Sequence, residues 1–170
     1  MTVLYEDNHI IIVNKTASEI VQGDKTGDTP LSEIVKQYLK EKYQKPGNVF
    51  IGVTHRLDRP VSGLVVFAKT SKALGRLNEM FRGGEVKKTY WAIVKNMPPE
   101  PEGELVHYLA KMGCPIRGDL KYGFPRSNPD GSICLHARRV RFVHPVSKEL
   151  IEVVAPVPDS NLWHAFPADI

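Results

Sequence analysis

Residues 55–69 read His-Arg-Leu-Asp-Arg-Pro-Val-Ser-Gly-Leu-Val-Val-Phe-Ala-Lys, a charged loop followed directly by an apolar run. The apolar run predicts a buried strand. Asp58 lies between Arg56 and Arg59, and nearby positive charge should keep its carboxylate ionised at neutral pH. A carboxylate held in place beside a rigid element suits a nucleophile or a general base. Asp58 is therefore the leading catalytic candidate, and an ion pair with either arginine is the structural alternative.

The length and composition predict one domain, residues 1–170, with an apolar core of its own. Cys114 and Cys134 are too few for a disulfide framework, and their spacing does not suit a zinc site. The sequence has no secretory pattern at its start and no window apolar enough for a membrane span. We therefore expect a cytoplasmic protein without a metal site.

Positive charge is concentrated in two blocks along the chain. Residues 55–95 contain nine Lys and Arg against three Asp and Glu, and residues 111–148 contain eight against two. The acidic segment 96–110 separates them. If the two blocks meet in space, they form the electrostatic footprint expected for a phosphate backbone. Solvated side chains on unrelated surfaces are the alternative.

Hydrophobic periodicity and turn residues predict the secondary structure. Two amphipathic helices are expected, one from Pro30 to Tyr43 capped by Thr29, the other capped by Thr70-Ser71 and ended by Gly83-Gly84. Strands are expected at 9–13, 49–53, 64–68, 85–95, 133–143 and 150–155. Strands and helices without regular βαβ alternation predict an α+β domain, with a mixed or largely antiparallel central sheet flanked by helices and loops.

The stretch 55–69 resembles the signature of the RluA family of pseudouridine synthases, except that Val61 replaces the usual threonine. Three further blocks resemble the family in the same order, so coincidence is a poor explanation. They are Leu4 to Asp7 leading into Ile11 to Lys15, the strand Lys88 to Val94, and the turn and hairpin segments Gly113 to Gly123 and Leu135 to Pro145. The resemblance spans nearly the whole chain and implies the pseudouridine synthase fold.

The resemblance also implies an isomerase that converts specific uridines of tRNA or ribosomal RNA to pseudouridine. Asp58 would be the catalytic carboxylate, and Tyr90 would pack on the uracil and take part in proton transfer. Arg56 would fill the space left by the flipped nucleotide, and Arg59 would bind the substrate. RNA is the implied partner, no cofactor or metal is required, and we expect a monomer. We assign His55 no chemical role.

One segment of the family pattern is missing. Family members carry Thr-Gly-Arg and His-Gln-Ile-Arg ahead of the Gly-x-Pro-Ile turn, and an arginine of this segment pairs with the catalytic aspartate. Here the expected arginine position reads Val106. Either the natural protein lacks this partner or the sequence omits residues that the molecule contains. Lys111 or Arg59 could substitute electrostatically, without the bidentate geometry of the usual pair.

This gap motivates a different hypothesis, a non-catalytic RNA-binding or RNA-folding protein on the same scaffold. A glycoside-cleaving enzyme is a third interpretation, but it would need a second carboxylate near Asp58, and the sequence offers no obvious one.

Overall fold

The structure is a computed structural model that describes residues 1–104 and 109–165. Its strands are β1 (Thr2–Glu6), β2 (Ile10–Lys15), β3 (Gly52–Val53), β4 (Ser62–Ala68), β5 (Lys87–Ala92), β6 (Leu135–Val143) and β7 (Leu150–Val154). The α-helices are α1 (Leu31–Lys42), α2 (Ser71–Arg82) and α3 (Asn161–His164), and short 3-10 helices lie at Leu109–Met112 and Leu120–Tyr122.

The seven strands form one mixed sheet in the order β1-β2-β4-β6-β5, with β3 added beside β4 and β7 beside β6. Only the β4–β6 pairing is parallel among these strands, and the other pairings are antiparallel. This arrangement confirms the predicted α+β fold with a largely antiparallel sheet.

Strand β4 lies at the centre of the core, and every one of its residues is buried. Its neighbour β2 contributes four fully buried apolar side chains in a row, Ile10 to Val13. Helices α1 and α2 add one apolar stripe each, with Leu31, Val35, Leu39, Ala73 and Leu77 at their centres. Burial on both faces explains why β4 reads as a continuous apolar run instead of an alternating one.

The predicted elements are confirmed, with three corrections to their ends. Thr70 caps α2 as expected, since its hydroxyl accepts a hydrogen bond from the Ala73 amide, but the cap predicted at Thr29 is wrong. Pro30 itself occupies the N-cap of α1 with extended backbone and no side-chain cap. The strand predicted at 49–53 shortens to β3, and the strand predicted at 85–95 shortens to β5, because each has a partner strand over only part of its length.

Gly63 permits the one parallel contact in the centre of the sheet. Its φ is +117°, and an added Cβ would overlap the backbone nitrogen and oxygen of Ala137 on β6. Only glycine combines this conformation with so close an approach. Beside it, the Ser62 hydroxyl lies 2.8 Å from Nδ1 of the fully buried His136, which joins β4 and β6 a second time.

The helices of the described residues are all too short or too polar to cross a membrane.

Candidate active site

The side chain of Lys15, the last residue of β2, holds the backbone of the loop between β3 and β4. Lys15 is 1% exposed, and its ammonium group donates to four backbone carbonyl oxygens. These belong to Val61 at 2.6 Å, Arg59 at 3.1 Å, and Thr16 and Asp58 at 3.2 Å. Burial lowers the pKa of Lys15 to about 8. Three of the four bonds therefore fix the backbone on which the Asp58 side chain stands.

Asp58 itself is exposed at the surface. Its carbonyl closes a tight turn by accepting the Val61 amide at 3.0 Å. Within residues 1–104 and 109–165, no cation lies within ion-pairing distance of the Asp58 carboxylate. The predicted structural alternative, an ion pair with a flanking arginine, is therefore not formed between described residues. The carboxylate combines a fixed backbone with a side chain that is open to an approaching molecule.

The two flanking arginines have different surroundings. Arg59 turns away from Asp58 and donates to Asp28 at 2.7 Å, to Thr26 at 2.9 Å and to Asp24 at 3.4 Å. It thereby ties the segment around residues 24–28 to the loop, and a role in binding substrate stays a prediction. Arg56 is exposed and faces solvent with no recorded partner in the described part of the chain.

Thr54 and His55 attach the start of this loop to β4 by their side chains. Backbone pairing of β3 with β4 ends at Val53 and Phe67. At the next position the Thr54 hydroxyl donates to the Val66 carbonyl at 2.6 Å, and Nε2 of His55 accepts the Val66 amide at 3.0 Å. Burial and the nearby charge of Lys88 lower the pKa of His55 to about 4, so the ring is neutral and able to accept at neutral pH.

Tyr90 lies on β5 and faces the same part of the sheet as the loop. It lines a small cavity together with His55, Leu64, Val66 and Ala137. The ladder between β5 and β6 shifts register between Thr89 and Tyr90, and such a bulge changes the direction in which a side chain points. Tyr90 is 39% exposed, and partial burial raises its pKa. Its phenol therefore stays protonated at neutral pH and is open on one side.

The sheet also sets the separation between Tyr90 and the loop. Tyr90 pairs with Ala137, and Ala137 pairs with Gly63, so the three residues form one row across β5, β6 and β4. Two strand spacings correspond to about 10 Å between the Cα atoms of Tyr90 and Gly63. Asp58 precedes Gly63 by one tight turn. The two predicted catalytic residues thus stand on neighbouring parts of one rigid frame.

A larger cavity of about 580 Å³ lies elsewhere, lined in part by Lys15, Ser62, His136 and Trp163. Neither Asp58 nor Tyr90 lines it. Asp58 is exposed and Tyr90 is 39% exposed, so both predicted catalytic side chains are accessible to a molecule in solution. Residues 1–104 and 109–165 contain no group of three His, Cys, Asp or Glu side chains arranged to hold a metal ion.

Several expectations concern the missing arginine segment. Val106, the position of the expected arginine, lies outside the described residues. Arg59 is engaged by Asp24 and Asp28, which argues against its substitution for the absent arginine. Lys15, whose ammonium group donates to the Asp58 carbonyl, is a buried cation close to this loop. Sequence reasoning missed it, although a lysine closing an otherwise apolar strand was a visible signal.

Comparison with known proteins decides the family. A family model described as RNA pseudouridylate synthase matches residues 9–148. The chain belongs to this family. Relatives of the ribosomal large subunit pseudouridine synthase C and D type are among its matches, which confirms the predicted resemblance to the RluA family.

Individual relatives cover different shares of the chain. An uncharacterized RNA pseudouridine synthase from Synechocystis is 26% identical, over 93% of this chain and 66% of its own length. A tRNA pseudouridine synthase C from Vibrio vulnificus is 38% identical, over 64% of this chain and 42% of its own. The chain thus spans less than two thirds of the length of these relatives.

Among solved structures, Human RNA Pseudouridylate Synthase Domain Containing 4 matches with a TM-score of 0.73 at 18% identity. The match covers 93% of this chain and 89% of that one, and it confirms the pseudouridine synthase fold.

The alignment with the Synechocystis relative also concerns the missing arginine segment. The alignment with the Synechocystis protein runs over 216 positions, although this chain has only 170 residues. Dozens of residues of that relative therefore have no counterpart here, as expected if a segment of the family pattern is missing from this sequence.

Proposed function

We propose that this chain is an RNA pseudouridine synthase that isomerises specific uridines of tRNA or ribosomal RNA in the cytoplasm. The observation that carries the proposal is the exposed Asp58 carboxylate on a turn whose backbone is fixed by the buried Lys15. Family membership supplies the reaction class, and the open site agrees with a substrate as large as a structured RNA.

The reaction rearranges a nucleoside without adding or removing atoms. The bond between C1′ and N1 breaks, the uracil turns, C1′ bonds to C5, and the proton from C5 is balanced by one gained at N1. A carboxylate can assist by attacking or stabilising the electron-poor sugar, or by removing a proton. Asp58 is the group available for this step, and its open side chain leaves room for the nucleoside.

Tyr90 is suited to contact the uracil. Its ring presents an apolar face for stacking beside the loop, and its raised pKa keeps the hydroxyl protonated. A protonated phenol donates a hydrogen bond or a proton more readily than it removes one. We therefore assign Tyr90 to packing and proton donation.

Arg56 is suited to take the place of the flipped nucleotide. A catalytic group cannot reach a glycosidic bond inside stacked RNA, so the target must leave the stack. The Arg56 guanidinium is exposed two residues before Asp58, and its planar shape allows it to stack and donate hydrogen bonds at once.

The decisive experiment measures pseudouridine in unmodified tRNA and ribosomal RNA transcripts after incubation with the wild-type chain or with Asp58→Ala. We expect product only with the wild type, while both proteins bind RNA with similar affinity. Tyr90→Phe is the matched control for the phenol hydroxyl, and it should bind RNA normally but react slowly.

The absence of a described cation beside Asp58 favours the second candidate, an RNA-binding or RNA-folding protein without catalysis. The same experiment separates the two. Equal RNA affinity with no product from either protein would support the second candidate and contradict the first.

A further inference from the structure

We propose that the open face of β5, β6 and β7 is a docking surface for the phosphodiester backbone of the RNA, carried by Lys87, Arg139 and Arg141. This proposal rests on the proposed function, because it names where the same substrate would be held outside the reacting nucleoside.

The three cations lie on one face of the sheet. Arg139 and Arg141 are two residues apart on β6, so their side chains point the same way and stand about 7 Å apart along the strand. Lys87 is the direct partner of Arg141 on β5. Directly opposed residues of an antiparallel pair share a face. All three are exposed, so the charges form a compact cationic surface.

The opposite face of the same strands is occupied by the core. Val140, Phe142 and Ile151 are buried there. On the outer face, Val143, Leu150 and Val154 remain about half exposed, and no described helix covers them. We place the phosphate contact only at Lys87, Arg139 and Arg141. The end of the surface formed by the pair Val143 and Leu150 is apolar.

The surface is the place where the two cationic sequence blocks meet. Lys87 belongs to the block at 55–95, and Arg139 and Arg141 belong to the block at 111–148. The pairing of β5 with β6 brings them side by side. On this face one cation of the first block stands beside two of the second, the kind of convergence that a phosphate-binding footprint requires.

The surface is continuous with the candidate active site. Thr89 pairs with Arg139 on the basic face, and Arg139 also lines the small cavity of Tyr90, the residue that follows Thr89. Strand β5 pairs with β6 alone among the described strands, so its outer edge is open. RNA that crosses this edge can therefore pass from the basic face to Tyr90 without meeting a described barrier.

Glu152 of β7 makes the proposal sharply testable. Its carboxylate lies 2.5 Å from Arg139 and 3.5 Å from Arg141, with the three side chains between 38% and 53% exposed. It competes with phosphate for both guanidinium groups. Removing its charge should therefore strengthen RNA binding, whereas removing the cations should weaken it.

The experiment measures RNA affinity in the Asp58→Ala background, so that turnover does not enter the readout. Lys87→Ala with Arg141→Ala should raise Kd roughly tenfold at low salt and reduce the slope of log K against log salt by about 1 to 2. Glu152→Gln should lower Kd several-fold. Lys36→Ala with Lys40→Ala removes the same charge from α1 and should leave Kd within about twofold.

The proposal is overturned if the strand variants change Kd no more than the α1 variant, or if Glu152→Gln has no effect. A basic face that binds another protein or an anionic membrane would give that result. Thermal unfolding of each variant confirms that the fold is intact. Failure to form pseudouridine would contradict the proposed function, while these affinities would still report on the docking surface.

Discussion

At the scale of single residues, Lys15 has the largest consequence for the site. One buried ammonium group lies within hydrogen-bond distance of four carbonyl oxygens, of which those of Asp58 and Arg59 also accept the amides of Val61 and Ser18. A buried charge is usually costly, but here every donor has an acceptor of fixed geometry. The residue joins β2 to the backbone of Asp58, and so connects the core with the proposed catalytic residue.

Lys15→Met tests this anchoring. An apolar side chain of similar length removes the ammonium donor from all four carbonyls, so the free energy of unfolding should fall by about 1–3 kcal/mol, measured by urea denaturation. Any pseudouridine formation should fall further than stability alone explains, because Asp58 loses its fixed position. Lys36→Met on the exposed side of α1 is the control and should cost less than about 0.5 kcal/mol. Equal stability of the two variants would refute the anchoring.

His55 holds the start of the loop between β3 and β4 against strand β4. Its ring accepts the Val66 amide and packs on Phe81 with ring centroids 4.8 Å apart. The sequence alone assigned this loop histidine no chemical role. The structure shows that its acceptor nitrogen replaces a backbone carbonyl in the ladder, a contact that no pattern of residue types could specify.

His55→Leu should expose the Val66 amide to hydrogen exchange and destabilise the fold by about 1–3 kcal/mol, because a buried donor loses its acceptor. His55→Gln keeps an acceptor oxygen and should restore most of the protection. Amide exchange of Val66, followed by NMR, distinguishes them. Similar exchange rates in both variants would show that the hydrogen bond to His55 does not hold the loop.

At the scale of elements, the sheet depends on the close approach of β4 and β6 at Gly63. This parallel contact joins the part of the sheet that carries Asp58 to the part that carries Tyr90. Without it, the two candidate catalytic residues would have no fixed separation. The register of this contact therefore matters for the site as well as for stability.

Gly63→Ala should cost about 3 kcal/mol or more, because the added methyl group meets the backbone of Ala137 at a positive φ. Gly75→Ala is the matched control. Gly75 lies inside α2 with open space around it, so alanine there should stabilise by roughly 0.5–1 kcal/mol. Thermal or urea unfolding measures both, and a tolerated Gly63→Ala would contradict the described pairing.

Much of the element pattern was predictable, for a physical reason. Helix α2 shows apolar residues at helical spacing together with a threonine cap and terminal glycines, so local and long-range preferences agree. Strand β3 and the end of β5 depend on where a partner strand stops, which is a long-range property. The candidate site shows the same division. The family resemblance proposed roles for Asp58, Tyr90 and Arg56, whereas the partners of Lys15 and Arg59 are distant in sequence and no motif indicates them.

At the scale of the whole molecule, buried neutral histidines make stability depend on pH. Burial lowers the pKa values of His55 and His136 to about 4, below the usual 6.5. Between these values the unfolded chain binds protons that the native protein does not. The free energy of unfolding therefore falls as the pH is lowered from about 6.5 to about 4.

Each histidine should contribute a loss of about 2 kcal/mol between pH 7.5 and pH 5. His55→Gln has no proton to bind in this range, so the loss on acidification should be smaller than in the wild type by roughly that amount. Urea denaturation of both proteins at the two pH values gives the comparison. An identical loss in wild type and variant would show that His55 titrates normally in the native protein.

The most direct measurement of the central claim is a pseudouridine map of cellular RNA, made with the wild-type chain, without it, and with Asp58→Asn in its place. The account predicts that defined uridines are modified only with the wild-type chain, and that absence and Asp58→Asn leave the same positions unmodified. Identical maps from cells with the wild-type chain, without it and with Asp58→Asn would contradict the assignment of a pseudouridine synthase acting through Asp58. Full modification with Asp58→Asn would contradict it as well.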